Sequence, residues 1–455
     1  MMISLQKGWW GMWSKYQEDV FNSVGNVVVE AKAGSGKTTT IVELCKRLKG
    51  SVLFLAFNKA IATELQKRGV PASTIHSFGL SAFRGKVDDW KIPNLCKRIG
   101  IKGAEAFKAK KAVGLWKAHM GELSWGELDD IYDLGLCAER KDAEKWDTVR
   151  AMSLRDKKVI DFDDMVYFPA SGEGTVEGYD NILVDEAQDL NQSRLALIKR
   201  AVKGRLIAVG DSNQAIYGFS GAMHDSMIRI REEFDAQVLP LSICYRCART
   251  IVREAQKWVP DIEPAQDAPE GTVNSVDSYS QAEEGDFIIS RCTAPVVRAA
   301  LALIRNGRTA SVKGKEIGKD LSTLLQRNNV GDDITATMTR VQEYVVAEAG
   351  KLRALDREAR AEMLEDKLET LIALSEGIGS VSALVGRVDS LFKDDAGGVV
   401  CMTAHKSKGL ESNRVWQLGE IPHPRAKKDW QVQQESNLAY VTVTRAKKEL
   451  NYVDV

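Results

Sequence analysis

A glycine-rich segment near the N-terminus has the residue types and spacing that bind phosphate groups. Residues 31–38 read Ala-Lys-Ala-Gly-Ser-Gly-Lys-Thr and lie between an apolar run, Val27–Val29, and a helical pattern, Thr39–Leu48. Backbone N–H groups at the glycines can wrap a triphosphate, while the lysine reaches the outer phosphates and the threonine holds Mg²⁺. The pattern predicts a nucleoside triphosphate site. Its predicted residues are Ala33, Gly34, Ser35, Gly36, Lys37, Thr38 and Thr39, with Thr38 also a Mg²⁺ ligand.

Two adjacent carboxylates follow a later apolar strand and supply what hydrolysis requires in addition. Residues 181–189 read Asn-Ile-Leu-Val-Asp-Glu-Ala-Gln-Asp. Asp185 can hold Mg²⁺ through water, and Glu186 can orient and deprotonate the attacking water. After a phosphate-binding loop, this pattern predicts an ATPase in which Lys37 and Glu186 are catalytic.

A third apolar strand ends in a polar loop that carries aromatic residues. Within residues 209–222, Gln214 is placed to sense the γ-phosphate, and Tyr217 and Phe219 follow closely. Because every nucleobase has a π-face, rings at such a position can stack on a single strand of nucleic acid. Core packing is the alternative role for both rings.

Short apolar runs separated by helical patterns indicate an α/β fold with parallel sheets. The runs are Val52–Ala56, Ile182–Val184, Leu206–Val209, Phe287–Ile289, Val399–Met402 and Val415–Leu418. Residues 80–157 and 310–390 break this rhythm and are predicted to be helical, the second around an amphipathic helix at Lys351–Ile372. A linker is predicted at Pro260–Gly271, which holds three of the ten prolines.

Composition limits the partners that the chain can attract through overall charge. Its 455 residues include 63 Lys and Arg and 63 Asp and Glu, so the formal net charge is zero. Any nucleic acid is therefore expected to bind in a local groove. Scattered cysteines, and apolar runs too short for a bilayer span or a signal peptide, predict a cytoplasmic protein without a membrane partner. Cys244 and Cys247 are interpreted as core thiols, because no second ligand pair completes a zinc site.

The ordered motifs between Tyr16 and Leu450 resemble those of UvrD-like superfamily 1 (SF1A) DNA helicases. The shorter second insertion resembles the compact subgroup that includes phage-type and F-box DNA helicases. The segments that carry the resemblance are Tyr16–Val20, Ala31–Thr38, Phe54–Ala60, Thr74–Phe78, Asp161–Met165, Asp185–Asp189, Gly210–Ala222, Cys244–Arg246, Val399–Glu411 and Leu438–Ala446.

The resemblance implies two RecA-like parallel-sheet domains with ATP bound between them, each carrying a helical insertion. The first domain (1A) is expected to comprise residues 1–79 and 158–240, with its insertion (1B) at 80–157. The second (2A) is expected to comprise residues 241–309 and 391–455, with a reduced insertion (2B) at 310–390.

The resemblance also implies roles for residues beyond the phosphate-binding loop. Further nucleotide contacts are expected from Gln17, which matches the family's adenine-reading glutamine, and from Tyr245, Gly409 and Glu411. Arg246 and Arg445 are expected to act with Gln214 at the γ-phosphate, where an arginine stabilises charge in the transition state. Expected DNA contacts are Phe57, Asn58, Lys59, His76, Tyr217, Phe219, Thr403 and His405.

The family implies an ATP- and Mg²⁺-dependent helicase that moves 3′ to 5′ on single-stranded DNA and opens duplex at single/double-strand junctions. Two alternatives stay open: a translocase that strips proteins from a strand without unwinding, and an ATP-dependent sensor or assembly module. A prokaryotic or phage source is expected. Pathway, protein partners, oligomeric state and the role of Trp9, Trp10 and Trp13 are not predicted.

Overall fold

The computed structural model describes residues 13–136, 140–216, 218, 221, 223, 225–355, 357–393, 397–422 and 429–454, with only the backbone at 140–142. The chain divides into two compact units, residues 1–243 and 244–455. Each unit contains its own parallel sheet. Trp9 and Trp10 lie outside the described residues, whereas the Trp13 ring packs edge-on against Phe21 at 5.1 Å between centroids.

The first unit is built on a parallel sheet with six strands among its described residues, in the order β3-β2-β6-β7-β1-β8. Its strands are β1 (Val27–Ala31), β2 (Val52–Ala56), β3 (Ala72–Thr74), β4 (Lys86–Val87), β5 (Val159–Ile160), β6 (Tyr179–Val184), β7 (Val202–Gly210) and β8 (Gln237–Leu241). β4 and β5 pair separately from the main sheet. Because the main strands are parallel, the segments that follow β1, β2, β6 and β7 emerge at one edge.

Helices cover both faces of this sheet and form a separate cluster between residues 91 and 155. The helices are α1 (Lys15–Asn22), α2 (Lys37–Arg47), α3 (Lys59–Lys67), α4 (Ile75–Ala82), α5 (Lys91–Arg98), α6 (Ala104–Ala118), α7 (Trp125–Tyr132), α8 (Arg140–Arg155), α9 (Asp164–Ala170), α10 (Gln192–Ala201) and α11 (Ser226–Glu233). α5 to α8 bury a core of their own that includes Trp125, Leu128 and Trp146. Two short 3₁₀ turns, Ala187–Asp189 and Ser212–Gln214, follow β6 and β7.

The second unit has a parallel sheet whose described strands also number six, in the order β11-β16-β15-β12-β14-β13. Its strands are β9 (Ile243–Cys244, at the unit boundary), β10 (Glu263–Pro264), β11 (Thr272–Val276), β12 (Phe287–Ser290), β13 (Ala310–Val312), β14 (Val399–Thr403), β15 (Ser412–Leu418) and β16 (Ala446–Val453). Its helices are α12 (Arg249–Ala255), α13 (Thr293–Arg305), α14 (Lys315–Asn328), α15 (Ile334–Ala354), α16 (Glu358–Ser375), α17 (Val381–Leu391), α18 (Ala404–Ser407) and α19 (Asp429–Val443). The predicted α/β class with two parallel sheets is confirmed.

Three details differ from the sequence-based expectations. The predicted linker at 260–271 is wrong: the chain divides at 243/244, and Ala265 N donates to Cys244 O at 3.2 Å inside the second unit. The helix predicted over Lys351–Ile372 is two helices, α15 and α16, because the chain turns after Leu355. Ala310–Val312, expected to be helical, pairs with Val399–Cys401 as an edge strand, which suits its β-branched end.

None of the helices in the described ranges is long and apolar enough to cross a bilayer.

Candidate nucleotide and strand-binding sites

The loop between β1 and α2 has the backbone of a phosphate cradle. Gly34 and Gly36 adopt positive φ angles of 70° and 79°, and Gly36 begins α2 in the left-handed region. This conformation favours glycine and turns successive N–H groups inward. The Ser35 hydroxyl is buried and has no hydrogen-bond partner in the described part of the chain. A buried hydroxyl without a protein partner fits a site in which a bound anion accepts its hydrogen bond.

Lys37 and the carboxylates after β6 are brought together at the sheet edge. Lys37 Nζ lies 3.3 Å from Glu186 Oε1. Burial alone lowers the pKa of Lys37, but the nearby carboxylates of Glu186, Asp185 and Asp211 outweigh it and leave the pKa above its ordinary value. Burial, and then the Glu186 charge, raise the pKa of Asp185 to about 6. Lys37 and Glu186, the predicted catalytic lysine and general base, are therefore neighbours, and each neutralises the charge of the other.

A hydrogen-bonded path runs from Glu186 to Gln214. Gln188 Nε2 donates to Glu186 Oε2 at 2.5 Å, and its Oε1 accepts from Asp211 N at 3.0 Å. Asp211 Oδ2 in turn accepts from Gln214 Nε2 at 2.6 Å. Sequence reasoning did not assign Gln188, although it lies within the quoted segment 185–189. The two candidate γ-phosphate contacts, Lys37 and Gln214, are thus joined through side chains and the Asp211 N–H in the segments that follow β6 and β7.

Protein oxygens can supply only part of the ligand set that Mg²⁺ requires. Asp185 is buried, and Thr38 is exposed at the first turn of α2. Within the described ranges, no group of three or more His, Cys, Asp or Glu side chains could hold a metal by itself. Mg²⁺ commonly uses one or two protein oxygens and takes the rest from phosphates and water. The residues therefore suit a metal that arrives with a nucleotide.

Gln17 lies on α1 and is tied to the helix that follows the phosphate loop. Its Nε2 donates to Thr40 Oγ1 at 3.0 Å, while its Oε1 accepts from Ser14 N at 3.1 Å in a capping box. Thr39, exposed on α2, lies between Thr40 and Thr38. The amide predicted to read adenine is held rigidly beside α2.

In the second unit, two predicted nucleotide residues form an ion pair. Arg246 Nε lies 2.7 Å from Glu411 Oε2. The neighbouring Tyr245 ring is 50% exposed, so its face can accept a stacking partner. Gly409 adopts a φ of 81°, which lets the chain turn between α18 and β15.

Arg445 is the most deeply placed of the predicted catalytic residues. It is 1% exposed, and its guanidinium donates to Val441 O at 2.8 Å, Leu410 O at 3.0 Å and Thr444 Oγ1 at 3.1 Å. These partners all belong to its own unit and fix the direction of the side chain. Its expected contact with the γ-phosphate stays a prediction.

The candidate strand contacts of the first unit follow β2 and β3. Phe57 is 43% exposed at the end of β2, beside the exposed Asn58 and Lys59. Asn58 caps α3 by accepting from Ile61 N at 2.9 Å, so its carbonyl oxygen has a structural role. The segment Asp161–Met165 resembles a DNA-side motif of the family, but no single residue in it was assigned. Phe162 in this segment is 51% exposed, and its ring packs edge-on against that of His76, a predicted contact, at 6.2 Å between centroids. Exposure beside a predicted contact is a signal that only the structure provides.

The two histidines that were predicted to contact the strand have lowered pKa values. Burial, then the Arg194 charge, lower the pKa of His76 to about 4, and burial, then Arg291, lower that of His405 to about 3. Both rings are neutral near pH 7, so they do not attract phosphate by charge. Thr403 is the residue before α18, the helix that carries His405. Tyr217 and Phe219 lie outside the described residues.

Known protein families match two parts of the chain, one in each compact unit. Residues 18–220 match the model of a family described as an AAA domain, and residues 316–453 match the UvrD-like helicase C-terminal domain. The ATP-dependent DNA helicase UvrD2 of Mycobacterium tuberculosis is 25% identical, in a match that covers 97% of this chain and 78% of that protein.

Two further relatives match less of their own length. F-box DNA helicase protein 1 of Schizosaccharomyces pombe is 23% identical over 93% of this chain and 55% of that protein. The ATP-dependent DNA helicase Rep of Buchnera aphidicola is 26% identical over 52% of this chain and 42% of its own.

Proposed function

This chain belongs to the UvrD-like family of superfamily 1 helicases, as its motifs predicted, and on that premise we propose that it is an ATP-dependent DNA helicase that moves 3′ to 5′. The observation that carries the proposal is the connected path Lys37–Glu186–Gln188–Asp211–Gln214 at one sheet edge. It joins a phosphate-binding lysine, a general base and a γ-phosphate sensor, which are the parts that nucleotide hydrolysis needs.

The ion pair between Lys37 and Glu186 suggests how nucleotide binding prepares hydrolysis. Phosphate oxygens would compete for the Lys37 ammonium, and Glu186 would lose the cation that now neutralises it. A carboxylate released in this way is a better acceptor for a proton from water. Mg²⁺, when bound, would neutralise charge on the phosphates, with Thr38 and Asp185 as its protein ligands. Gln214 would then report whether the γ-phosphate is present.

We assign the strand to the face that carries Phe57, Lys59, His76 and Phe162. Phe57 and Phe162 are exposed and His76 is half-buried, and these rings together with Lys59 offer base stacking with little dependence on sequence. The partners proposed are therefore single-stranded DNA and single/double-strand junctions. The proposed roles of Tyr245, Arg246 and Arg445 at the nucleotide, of Thr403 and His405 at the strand, and of the 1A, 1B, 2A and 2B subdivisions come from the family's motifs.

ATP-driven displacement of matched duplexes that carry either a 3′ or a 5′ single-stranded tail tests activity and polarity together. Opening of only the 3′-tailed duplex is the expected result. Opening from the 5′ tail would contradict the polarity, and an ATPase indifferent to single-stranded DNA would favour a sensor or assembly module. Glu186→Gln protein, prepared identically, controls for contaminating helicases.

A translocase that strips proteins without unwinding is the second candidate, favoured by the small helical segment of the second unit. In the described chain, four helices, α14 to α17, occupy residues 315–391. This small segment offers limited surface for gripping a duplex. Displacement of streptavidin from a biotinylated strand, without displacement of a complementary strand, would support this candidate over the helicase.

A further inference from the structure

A pair of exposed aromatic rings lies on the helical cluster of the first unit. Trp90 is 58% exposed and Phe107 is 52% exposed, and their rings meet edge-on at 5.7 Å between centroids. Trp90 directly precedes α5, and Phe107 lies near the start of α6. Together the two rings form an exposed apolar patch, a feature that marks interaction sites on soluble proteins.

Trp90 and Phe162 are carried by segments that leave the same end of one strand pair. β4 and β5 pair in parallel, and Asp88 N, just after β4, donates to Ile160 O, the last residue of β5, at 2.8 Å. Trp90 follows β4 at the same short interval at which Phe162 follows β5. Because paired strands lie about 4.8 Å apart, the segments that carry the two rings begin side by side.

A buried ion pair fixes these two segments to each other. Lys91, the residue after Trp90, is buried, and its Nζ lies 2.6 Å from Asp164 Oδ2. Asp164 N donates to Asp161 Oδ1 at 2.8 Å, and Asp161 N donates to Asp164 Oδ2 at 3.1 Å, so the two aspartates close the loop that carries Phe162. The backbone next to Trp90 is therefore held against the loop of Phe162.

α6 provides the surface between Phe162 and the patch. A Cβ atom on Gly114 would lie 2.6 Å from Asp163 Oδ2, so this part of α6 adjoins the loop of Phe162. Phe107, the exposed Lys111 and Gly114 share one side of the helix, because positions i, i+4 and i+7 lie on one face. From Gly114 to Phe107 the helix rises about 10 Å, which spans about three nucleotides at a stacked rise of about 3.4 Å.

The charge around the patch suits a ligand that carries phosphates. Residues 84–111 contain nine lysines and arginines and three acidic residues, whereas the whole chain has no net charge. One of these lysines, Lys110, lies with its Nζ 2.7 Å from Asp89 Oδ2 and so ties the residue before Trp90 to α6. The exposed basic residues of α5 and α6 are Lys97, Arg98 and Lys111. Rings beside a local excess of positive charge are what a single strand of nucleic acid requires.

We propose that Trp90 and Phe107 form a second stacking site for single-stranded DNA, which the strand reaches from the His76–Phe162 face by following α6. The inference rests on the proposed function, because it adds nucleotides to the strand site proposed there. Lys111, between the two sets of rings, contacts a phosphate of the added nucleotides. Since every base has a π-face, the second site strengthens binding without adding a sequence preference.

The test measures the affinity of the whole protein for labelled oligothymidines of graded length by fluorescence anisotropy. For the double variant with Trp90→Ala and Phe107→Ala, we expect the Kd for a long oligonucleotide to rise about tenfold or more, the usual effect of losing stacked bases. The length at which affinity reaches its plateau should be about three nucleotides shorter than in wild type. The shortest oligonucleotides, which fill one set of rings at a time, should show a much smaller difference.

Two single variants serve as controls for the loss of the rings. Ile131→Ala removes an apolar side chain of α7 that is 40% exposed in the same helical cluster, and it should bind every oligonucleotide as wild type does. Trp90→Phe keeps a ring at the patch and should retain most of the affinity. Circular dichroism and the melting temperature show which variants are folded.

Wild-type affinity and length dependence in the folded double variant would overturn the inference. Weaker binding of a blunt duplex, with single-strand binding unchanged, would also overturn it and would assign the rings to duplex DNA. If the double variant does not fold, Lys111→Gln decides: the slope of log affinity against log salt should fall by about 0.7, and an unchanged slope would overturn the inference. A wild-type protein that binds no single-stranded DNA would instead overturn the proposed function before any variant is compared.

Discussion

Glu186 adopts a backbone conformation that a glutamate rarely holds. Its φ of 52° places it in the left-handed region, at a cost on the order of 1–3 kcal/mol. Asp185 Oδ1 accepts from Glu186 N at 2.9 Å, and Lys37 and Gln188 hold its carboxylate. Such strain persists where surrounding contacts over-determine the conformation, often at functional sites. The side chain assigned as general base is therefore aimed by its neighbours and not by its own preference.

Replacing Glu186 by Gln removes the proton acceptor and keeps the side-chain shape. We expect kcat for ATP hydrolysis to fall by about 10²–10⁴-fold, the usual contribution of a general base. Nucleotide binding, followed with a fluorescent ATP analogue, should remain. Glu177→Gln, at an exposed position before β6, is the control. Normal turnover in Glu186→Gln would remove Glu186 from the mechanism.

The raised pKa of Asp185 predicts a pH dependence for MgATP use. Burial and the Glu186 charge raise this pKa to about 6 in the nucleotide-free protein, so the carboxyl is increasingly protonated and neutral below pH 6. A neutral carboxyl is a poor Mg²⁺ ligand, so kcat/KM for MgATP should fall about tenfold per pH unit below that point. Asp185→Asn should give a low kcat/KM for MgATP that changes little with pH. A wild-type profile that stays level down to pH 5 would contradict the assignment.

At the scale of elements, the proposed strand-binding face depends on how closely α4 packs against α9. A Cβ atom on Gly79 of α4 would lie 2.0 Å from Met165 O, a backbone atom of α9 that cannot move aside cheaply. α4 carries His76, and α9 follows the segment that carries Phe162. The absence of a side chain at Gly79 thus brings the two rings to one surface.

Gly79→Ala should lower stability, because the new methyl group forces the two helices apart. We expect a loss of about 1–3 kcal/mol, measured by denaturant unfolding with a signal from the unit that carries the substitution. Gly350→Ala, within α15, is the matched control: nothing lies within 4 Å of its Cβ position, so it should gain about 0.5–1 kcal/mol. Equal stability in the two variants would mean that the close approach does not constrain the helices.

At the scale of the whole molecule, the charges balance, so binding of a strand is expected to depend on a local group of residues. The 63 basic residues are matched by 63 acidic ones, so no general attraction to phosphate is expected. Many of the basic side chains are engaged internally, as Lys91, Lys117 and Arg445 are. Affinity for a strand should therefore come mainly from stacking and a few defined cations.

The salt dependence of binding measures those cations. If Lys59 contacts a backbone phosphate, Lys59→Gln should reduce the slope of log affinity against log salt by about 0.7, the value for one phosphate contact on a single strand. Lys67→Gln, at the other end of α3, should leave the slope unchanged. Fluorescence anisotropy of a labelled oligonucleotide between low and moderate salt provides the measurement. An unchanged slope in Lys59→Gln would remove that residue from the interface.

The sequence by itself determined the features that depend on neighbours along the chain. The phosphate loop is recognisable because its glycines, lysine and threonine act within eight residues, and apolar runs marked the strands because burial on both faces leaves no alternation. The order of the motifs then indicated the family. The sequence did not predict the helix break at 355, and it wrongly indicated a linker at 260–271, since neither a leucine nor a group of prolines specifies one local structure.

Only the tertiary structure decided which distant residues act together. The Gln188–Asp211 bond joins segments that lie 23 residues apart, and the Lys37–Glu186 pair spans 149. Such meetings follow from the register and order of parallel strands, which bring loops to one edge whatever their separation in the chain. Exposure is decided in the same way: Phe162 faces outward, whereas Asp161 and Asp164 face inward because Lys117 and Lys91 from other helices hold them.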